Sequence, residues 1–266
     1  TLTFASCILM SSALADRFGR RSVFLLGVFI FTASSAWCGI SNNIGALITA
    51  RTLQGIGGSA VMPLSLALLS TSVPERLRAT AIGIWGGVAG LGVALGPLIG
   101  GAVVEGMNWH AIFWINVPFG LLCIPLVWIT IPESRGRPEP LDFLGLALVG
   151  IGLFGITYGI VRGNDAGWTS AEVLTGLIGG VALIVIFIWW ESHAASPLLP
   201  LRLFSNRSFS MANIVGFLFF FGIFGAIFIL IQFLQVVQGA NPLEAGLMTM
   251  PWTLAPFVVS PLTGLL

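Results

Sequence analysis

The sequence contains few charged residues and no lysine. Charged residues make up 8% of its 266 positions, whereas soluble domains carry roughly 25%, and hydrophobic residues reach 56%. The eleven bases are all arginines, and ten acids leave a net charge of +1. So few charges cannot cover the surface of a soluble globule of this size. They also build no basic stripe for nucleic-acid phosphates, so the composition indicates a membrane protein and no nucleic-acid partner.

Cysteine and histidine are scarce as well. The three cysteines and two histidines are too few and too scattered for most disulfide or metal frameworks. All three cysteines fall in apolar runs, where we expect small buried packing residues. The sequence therefore predicts neither a metal site nor a cofactor.

Long apolar runs dominate the chain. A membrane helix needs about twenty mostly apolar residues, and transmembrane barrel strands would instead alternate apolar and polar residues over about ten positions. We therefore predict an all-α, polytopic membrane protein with nine transmembrane helices. Their approximate ranges are 1–14, 22–40, 44–70, 79–104, 111–131, 141–161, 171–190, 208–235 and 244–266.

The arginines support this count of helices. If the loop after the first run is cytoplasmic, nine arginines fall in cytoplasmic loops and only Arg162 in an outer loop. Such an asymmetry follows the positive-inside rule, and one missed or added span would destroy it. Because the chain begins at Thr1 and stops at Leu266 inside apolar runs, we also expect a fragment of a longer polytopic protein.

The first cytoplasmic loop, residues 12–25, sets Asp16 among three arginines in a turn that contains Gly19. Basic residues beside a span can simply fix its orientation. Topology does not require Asp16, however, and a carboxylate there can accept charge-assisted hydrogen bonds. We therefore consider two roles for this loop, a topological anchor and a latch between helical bundles. We refer to residues 12–25 as the latch loop.

Arg51 is the one ionisable residue well inside an apolar run. It lies about 10 Å below the outer end of the third run, a depth at which charges usually face a cavity or a partner. Gly55 and Ser59 share its helix face, and Gln54 lies close to that face. Two interpretations remain: Arg51 serves a polar site in the membrane, or its side chain extends to the outer surface.

Gly92, Gly96 and Gly100 recur every four residues and form one smooth helix face. Pro97 is expected to kink this helix. Close helix packing alone would explain the pattern, and a tight, dry interface that blocks ion leakage is the functional alternative. We call Gly92, Gly96 and Gly100 the glycine face.

Five segments carry a resemblance to a known family. ALADRFGRR (13–21), ARTLQGIGG (50–58) and GVALGPLIGG (92–101) resemble signature motifs of major facilitator superfamily drug exporters. WHAIFWINVPFG (109–120) and PLLPLRLFSNRSF (197–209) are similar to segments of the fourteen-helix drug:proton antiporter branch. The resemblance covers the whole chain and aligns it with helices two to ten of fourteen.

The resemblance implies a role for each motif. Asp16, Gly19 and Arg20 would belong to a conformational latch, Arg51 with Gln54 would take part in proton coupling, and the sealing helix would contain the glycine face and Pro97. Two positions depart from the pattern: Ser12 replaces a usual glycine, and His110 stands where an arginine often follows the tryptophan. The family's important acid belongs to helix one, which precedes the helices two to ten with which this chain aligns.

The resemblance also implies a domain organisation. Residues 1–131 would be an N-terminal bundle without its first helix, 132–207 an inserted pair of helices, and 208–266 the start of a C-terminal bundle. The phenylalanine-rich run 217–228 is compatible with a drug cavity, although such runs also face lipid or pack between helices.

The predicted function is export of amphipathic or apolar small molecules across the cell membrane in exchange for protons. One alternative is a transporter of a specific metabolite, lipid or siderophore. A membrane-embedded enzyme would need a catalytic constellation, and the sequence shows no paired acids, His-Asp cluster or metal spacing. A non-transporting scaffold would not explain why a charged residue, Arg51, lies inside a membrane span.

Overall fold

The computed structural model describes residues 2–136, 142–194, 197–255 and 259, and within these ranges it is built from helices and their connections. Nine α-helices follow one another along this described part of the chain. They are α1 Leu2–Phe18, α2 Arg20–Gly39, α3 Ile44–Ser72, α4 Glu75–Gly106, α5 Ala111–Thr130, α6 Phe143–Ala166, α7 Ala171–Glu191, α8 Arg207–Gln232 and α9 Pro242–Thr253. A 3₁₀ turn, Leu201–Ser205, precedes α8, and a π-helical turn, Phe233–Val237, follows it.

The all-α prediction is confirmed, and each predicted span overlaps one of these nine helices. α9 covers the predicted ninth span, 244–266, only as far as Thr253, and residues 256–258 and 260–266 of that span lie outside the described residues. Within the described residues, six helical segments are long and apolar enough to cross a membrane, namely α2, α3, α5, α6, α7 and α8 with its π-helical turn. Several helices continue past the apolar runs. For example, α6 extends to Ala166 and so includes Arg162 and Asp165, because backbone hydrogen bonding does not stop where the hydrocarbon ends.

Contacts divide the chain into two units. The first unit combines Thr1–Leu68 with Trp114–Leu201, and the second combines Leu69–Phe113 with Arg202–Leu266. The predicted division at residues 131 and 207 follows the family pattern and stays a prediction.

The core of the first unit joins α1, α2, α3 and α5. Its buried apolar residues include Phe24 and Val28 of α2, Leu64 and Leu68 of α3, and Val127 of α5. Glycines allow the helices to approach closely: a Cβ on Gly57 of α3 would lie only 2.7 Å from the carbonyl oxygen of Gly27 on α2.

The α6–α7 pair, also in the first unit, is packed through glycines. A Cβ on Gly155 would lie 2.9 Å from the Gly176 carbonyl oxygen, and the reciprocal distance is also 2.9 Å. At the predicted outer end, Glu172 accepts hydrogen bonds from Tyr158 Oη and Arg162 Nε, at 2.5 and 3.0 Å. Backbone contact and this polar cluster together hold the pair as a hairpin.

In the second unit, α4 packs against α9. α8 has no buried residue, and its phenylalanines are exposed among the described residues. This unit therefore contains the glycine face on α4 and the phenylalanine-rich run on α8.

Candidate functional site

A chain of polar side chains begins at Arg51 and runs across three helices of the first unit. Arg51 Nη1 donates to Gln54 Oε1 at 2.7 Å, and Gln54 Nε2 donates to Ser35 Oγ of α2 at 3.0 Å. Asn116 Nδ2 of α5 donates to the same Ser35 oxygen at 3.1 Å. Gln54 is only 3% exposed and Ser35 is fully buried. The network therefore connects an exposed guanidinium to a buried polar centre between the helices.

Arg51 and Gln54 also border a groove of about 530 Å³. Its other walls are mostly apolar and come from α1, α2 and α3: Phe4, Phe31, Gly55, Gly58, Val61 and Met62. A cationic and amide edge beside apolar walls suits a molecule that has both a polar group and an apolar body.

Small residues on the Arg51 face of α3 are in contact with α1. A Cβ on Gly55 would overlap Thr3 Oγ1 and lie 3.2 Å from the Phe4 backbone nitrogen. One turn further, the hydroxyls of Ser11 and Ser59 are 2.8 Å apart and buried. This face of α3 therefore lies in close contact with a neighbouring helix.

In the latch loop, the structure brings Asp16 and Arg20 together. Arg20 Nε donates to Asp16 Oδ1 at 2.8 Å, and Nη2 lies 2.7 Å from the same oxygen. Gly19 separates α1 from α2 with φ 111° and ψ 128°, a conformation that favours glycine. The ion pair is local, one helical turn apart, so a latch between bundles stays a prediction.

A residue that the sequence analysis did not identify, Glu133, holds the latch loop in place. Its carboxylate accepts the backbone N–H groups of Arg21 and Ser22 at 2.9 and 3.1 Å, and the Ser22 hydroxyl at 2.5 Å. Glu133 thus supplies the N-terminal cap of α2, because Gly19 has no side chain to do so.

The environment of Glu133 keeps its carboxylate ionised. Partial burial alone would raise its pKa, but hydrogen bonds from Ser22, Arg21 and Ser134 outweigh burial and lower the pKa below its ordinary value of 4.5. The negative charge also lies at the positive end of the α2 dipole.

Arg21 strengthens the same junction from the opposite side. Its Nη1 donates to the carbonyl oxygens of Ile131 and Trp128 near the end of α5, at 3.0 and 3.3 Å, and its guanidinium lies 5.1 Å from the centre of the Trp128 ring. Two backbone bonds complete the contact: Arg20 N donates to Ser134 O at 2.8 Å, and Gly136 N donates to Asp16 O at 3.0 Å.

The glycine face of α4 is open among the described residues. A Cβ on Gly92, Gly96 or Gly100 would have nothing within 4 Å. α4 is continuous through Pro97, but the side chain of Pro97 lies outside the described part. The described residues therefore show no close packing on this face, and both the kink and the seal stay predictions.

The phenylalanine-rich run on α8 forms an apolar groove of about 570 Å³ in the second unit. Phe217 stacks on Phe221 and Phe220 on Phe224, with ring centres 6.2 and 6.3 Å apart. The rings are exposed in the described structure, so the drug-cavity and lipid-facing interpretations both remain open.

Three residues of these hydrogen-bonded contacts were not predicted from the sequence: Ser35, Asn116 and Glu133. Some indication of the first two was present in the sequence, since each is a polar side chain in a mostly apolar run. Glu133 gave no such signal, because an acid in a charged loop ordinarily faces solvent.

Comparisons with known proteins agree with the motifs. The family profile described as Major Facilitator Superfamily matches residues 1–266. The chain is 37% identical to the Multidrug resistance protein Stp of Mycobacterium tuberculosis, covering 99% of the chain and 50% of that protein. It is 38% identical to the Methylenomycin A resistance protein of Bacillus subtilis, with 97% and 55% covered.

A third relative is the Tetracenomycin C resistance and export protein of Streptomyces glaucescens, at 35% identity with 99% and 49% covered. The chain thus spans about half the length of these bacterial relatives. Their origin indicates the bacterial cytoplasmic membrane.

The fold resembles that of a solved membrane transporter. The crystal structure of the human organic anion transporter MFSD10 (TETRAN) matches with a TM-score of 0.50 and 18% identity, covering 99% of this chain and 67% of that one. The similarity concerns the fold alone. Together, the all-helical fold, the apolar spans and the match along the whole sequence show that this multi-pass membrane chain belongs to the Major Facilitator Superfamily.

Proposed function

We propose that the protein to which this chain belongs exports amphipathic or apolar small molecules across the cytoplasmic membrane in exchange for protons. The observation that carries the proposal is the polar chain from Arg51 through Gln54 to Ser35, at the edge of an apolar groove. In transporters that work by alternating access, the substrate and the coupling ion bind close to one another. A fixed charge beside an apolar groove offers such a site for an amphipathic substrate and a proton.

The names of the relatives support export rather than uptake. They are described as multidrug resistance, antibiotic resistance and antibiotic export proteins. Membership of a transporter family also favours transport over catalysis. In this proposal, Arg51 and Gln54 take part in proton coupling, and Asp16, Gly19 and Arg20 belong to a latch that the Glu133 contact holds shut in one conformation.

Transport by the purified full-length protein in lipid vesicles tests the proposed function. A pH gradient should drive accumulation of an amphipathic fluorescent dye, because proton flow down the gradient supplies the energy. A protonophore, which collapses the gradient, should stop accumulation. Dye transport that is indifferent to the gradient and to the protonophore would contradict proton exchange while leaving the family assignment intact.

The sealing role of the glycine face predicts a separate result. Gly96→Leu should cause proton leak and loss of export, because a large side chain would keep a partner surface from the glycine face during transport. Insertion should be unaffected, since a side chain at Gly96 meets nothing within 4 Å among the described residues. Proton flux and dye export in vesicles are the measurements.

Gly179→Leu on α7 is the matched control, because a Cβ at Gly179 also meets nothing within 4 Å among the described residues. The control should neither leak nor lose export. If Gly96→Leu behaves like the control, the glycine face is not a seal.

A further inference from the structure

Two acids meet at the predicted cytoplasmic end of the α6–α7 pair. Asp142 precedes α6, where its Oδ1 accepts the Gly145 N–H at 2.8 Å and its Oδ2 accepts Trp190 Nε1 at 2.6 Å. Glu191 is the last residue of α7, and its Oε2 accepts the Leu199 N–H at 2.9 Å. The two carboxyl groups therefore join the start of α6, the end of α7 and the segment that follows.

In the described part of the chain, the other oxygen of Glu191 has no hydrogen-bond partner. Glu191 is only 3% exposed, and its Oε1 is buried without a partner among the described residues. This oxygen and Asp142 Oδ2 border the same position: a Cβ on Gly145 would lie 2.7 Å from Asp142 Oδ2 and 2.9 Å from Glu191 Oε1. Only a glycine at position 145 leaves both oxygens in place.

A buried carboxylate oxygen that lies beside a second carboxylate and receives no hydrogen bond is strongly disfavoured. Two carboxyl groups that share a site relieve this cost when one of them holds a proton, which then bridges the oxygens. We propose that Glu191 binds a proton and donates it in a hydrogen bond to Asp142, which makes this junction a proton-binding site separate from the Arg51 network.

Among the described residues, no salt bridge neutralises either acid, Glu191 or Asp142. His193 directs its Nδ1 to the Ser192 hydroxyl and the Trp189 carbonyl oxygen. α1, which packs against α6, has Asp16 and Arg17 in its last turn, and Asp16 forms an ion pair with Arg20.

Infrared spectroscopy of the full-length protein in lipid tests the proposal, because the C=O stretching band of a neutral carboxylic acid is distinct from the bands of a carboxylate. At neutral pH the wild type should show one carboxylic-acid band that Glu191→Gln lacks. Gln keeps the shape and a donor at this position, so the variant should fold. The band should disappear as the pH rises and the proton leaves.

Two further variants make the assignment specific. Glu172→Gln removes an acid at the outer end of the same pair that Tyr158 and Arg162 already hold by hydrogen bonds, so it should leave the band unchanged. In Asp142→Asn the facing negative charge is gone, and the band should disappear at a lower pH than in the wild type. The pH dependence of the band in Asp142→Asn tests the proposal even if Glu191→Gln does not fold.

The proposal is overturned if Glu191→Gln removes a carboxylate signal and no carboxylic-acid band at neutral pH. It is also overturned if the band appears only after Na⁺ and K⁺ are replaced by choline, since a metal cation would then occupy the junction. Neither result depends on transport, so the proposed export function is tested separately.

Discussion

Replacing Arg51 with alanine is expected to abolish export driven by a pH gradient while substrate binding remains measurable. The substitution removes the hydrogen bond to Gln54 and leaves the Gln54–Ser35–Asn116 part of the network without its charged end. It also removes the positive charge that favours the ionised form of any carboxyl group entering the groove. Without that charge, such a carboxyl group would remain protonated throughout the transport cycle. Dye binding and gradient-driven dye export by the purified full-length protein measure the two effects separately.

Arg51→Lys should restore export only in part. An ammonium ion keeps the charge, but it cannot reproduce the planar fork that a guanidinium presents to Gln54 and to other acceptors. Arg207→Ala is a suitable control, because it removes an exposed arginine at the start of α8 that is not among the residues lining the groove. Full gradient-driven export by Arg51→Ala would exclude a coupling role and favour a side chain that merely extends to the outer surface.

Continuous apolar runs made the helices predictable from the sequence. Each run is long enough to span the hydrocarbon core, and in lipid a helix satisfies all of its own backbone hydrogen bonds. The ends of helices were less predictable. α4 begins at Glu75, before the predicted start at 79, because the polar residues there continue the same hydrogen-bond pattern in water.

The candidate site could be predicted only where its members lie on one helix. Arg51 and Gln54 are three residues apart, so helical spacing places them together. Ser35 and Asn116 lie on other helices, and their meeting depends on how α2, α3 and α5 pack. Glu133 is separated from the α2 backbone that it caps by more than a hundred residues, and no local pattern predicts such a contact.

Gly19→Ala is expected to destabilise the protein and to impair transport, because it breaks the junction between the latch loop and the segment after α5. The backbone at Gly19 has φ 111° and ψ 128°, and strain of this kind costs about 1–3 kcal/mol for a residue with a side chain. The new Cβ would also lie 2.6 Å from Glu133 Cδ and 2.8 Å from each of its carboxylate oxygens. Glu133 would then have to leave the N-terminus of α2. Thermal unfolding of the full-length protein and dye export are the measurements.

Gly167→Ala separates the effect of backbone strain from the effect of losing the Glu133 contact. Gly167, before α7, has φ 85° and ψ 134°, and a Cβ there meets nothing within 4 Å among the described residues. Gly167→Ala should therefore lower stability through backbone strain alone. Gly19→Ala should lower it further, because it also breaks the hydrogen bonds to the Glu133 carboxylate, and each hydrogen bond to a charged acceptor contributes about 1.5–3 kcal/mol.

A double-mutant cycle tests the Glu133 contact directly. In a Glu133→Ala background the carboxylate is already absent, so the added cost of Gly19→Ala should fall to that of Gly167→Ala. Equal costs of Gly19→Ala and Gly167→Ala in the wild-type background would show that the capping contact does not stabilise the latch loop. Strictly additive effects of Gly19→Ala and Glu133→Ala on the free energy of unfolding would lead to the same conclusion, because two residues that share a contact show non-additive effects.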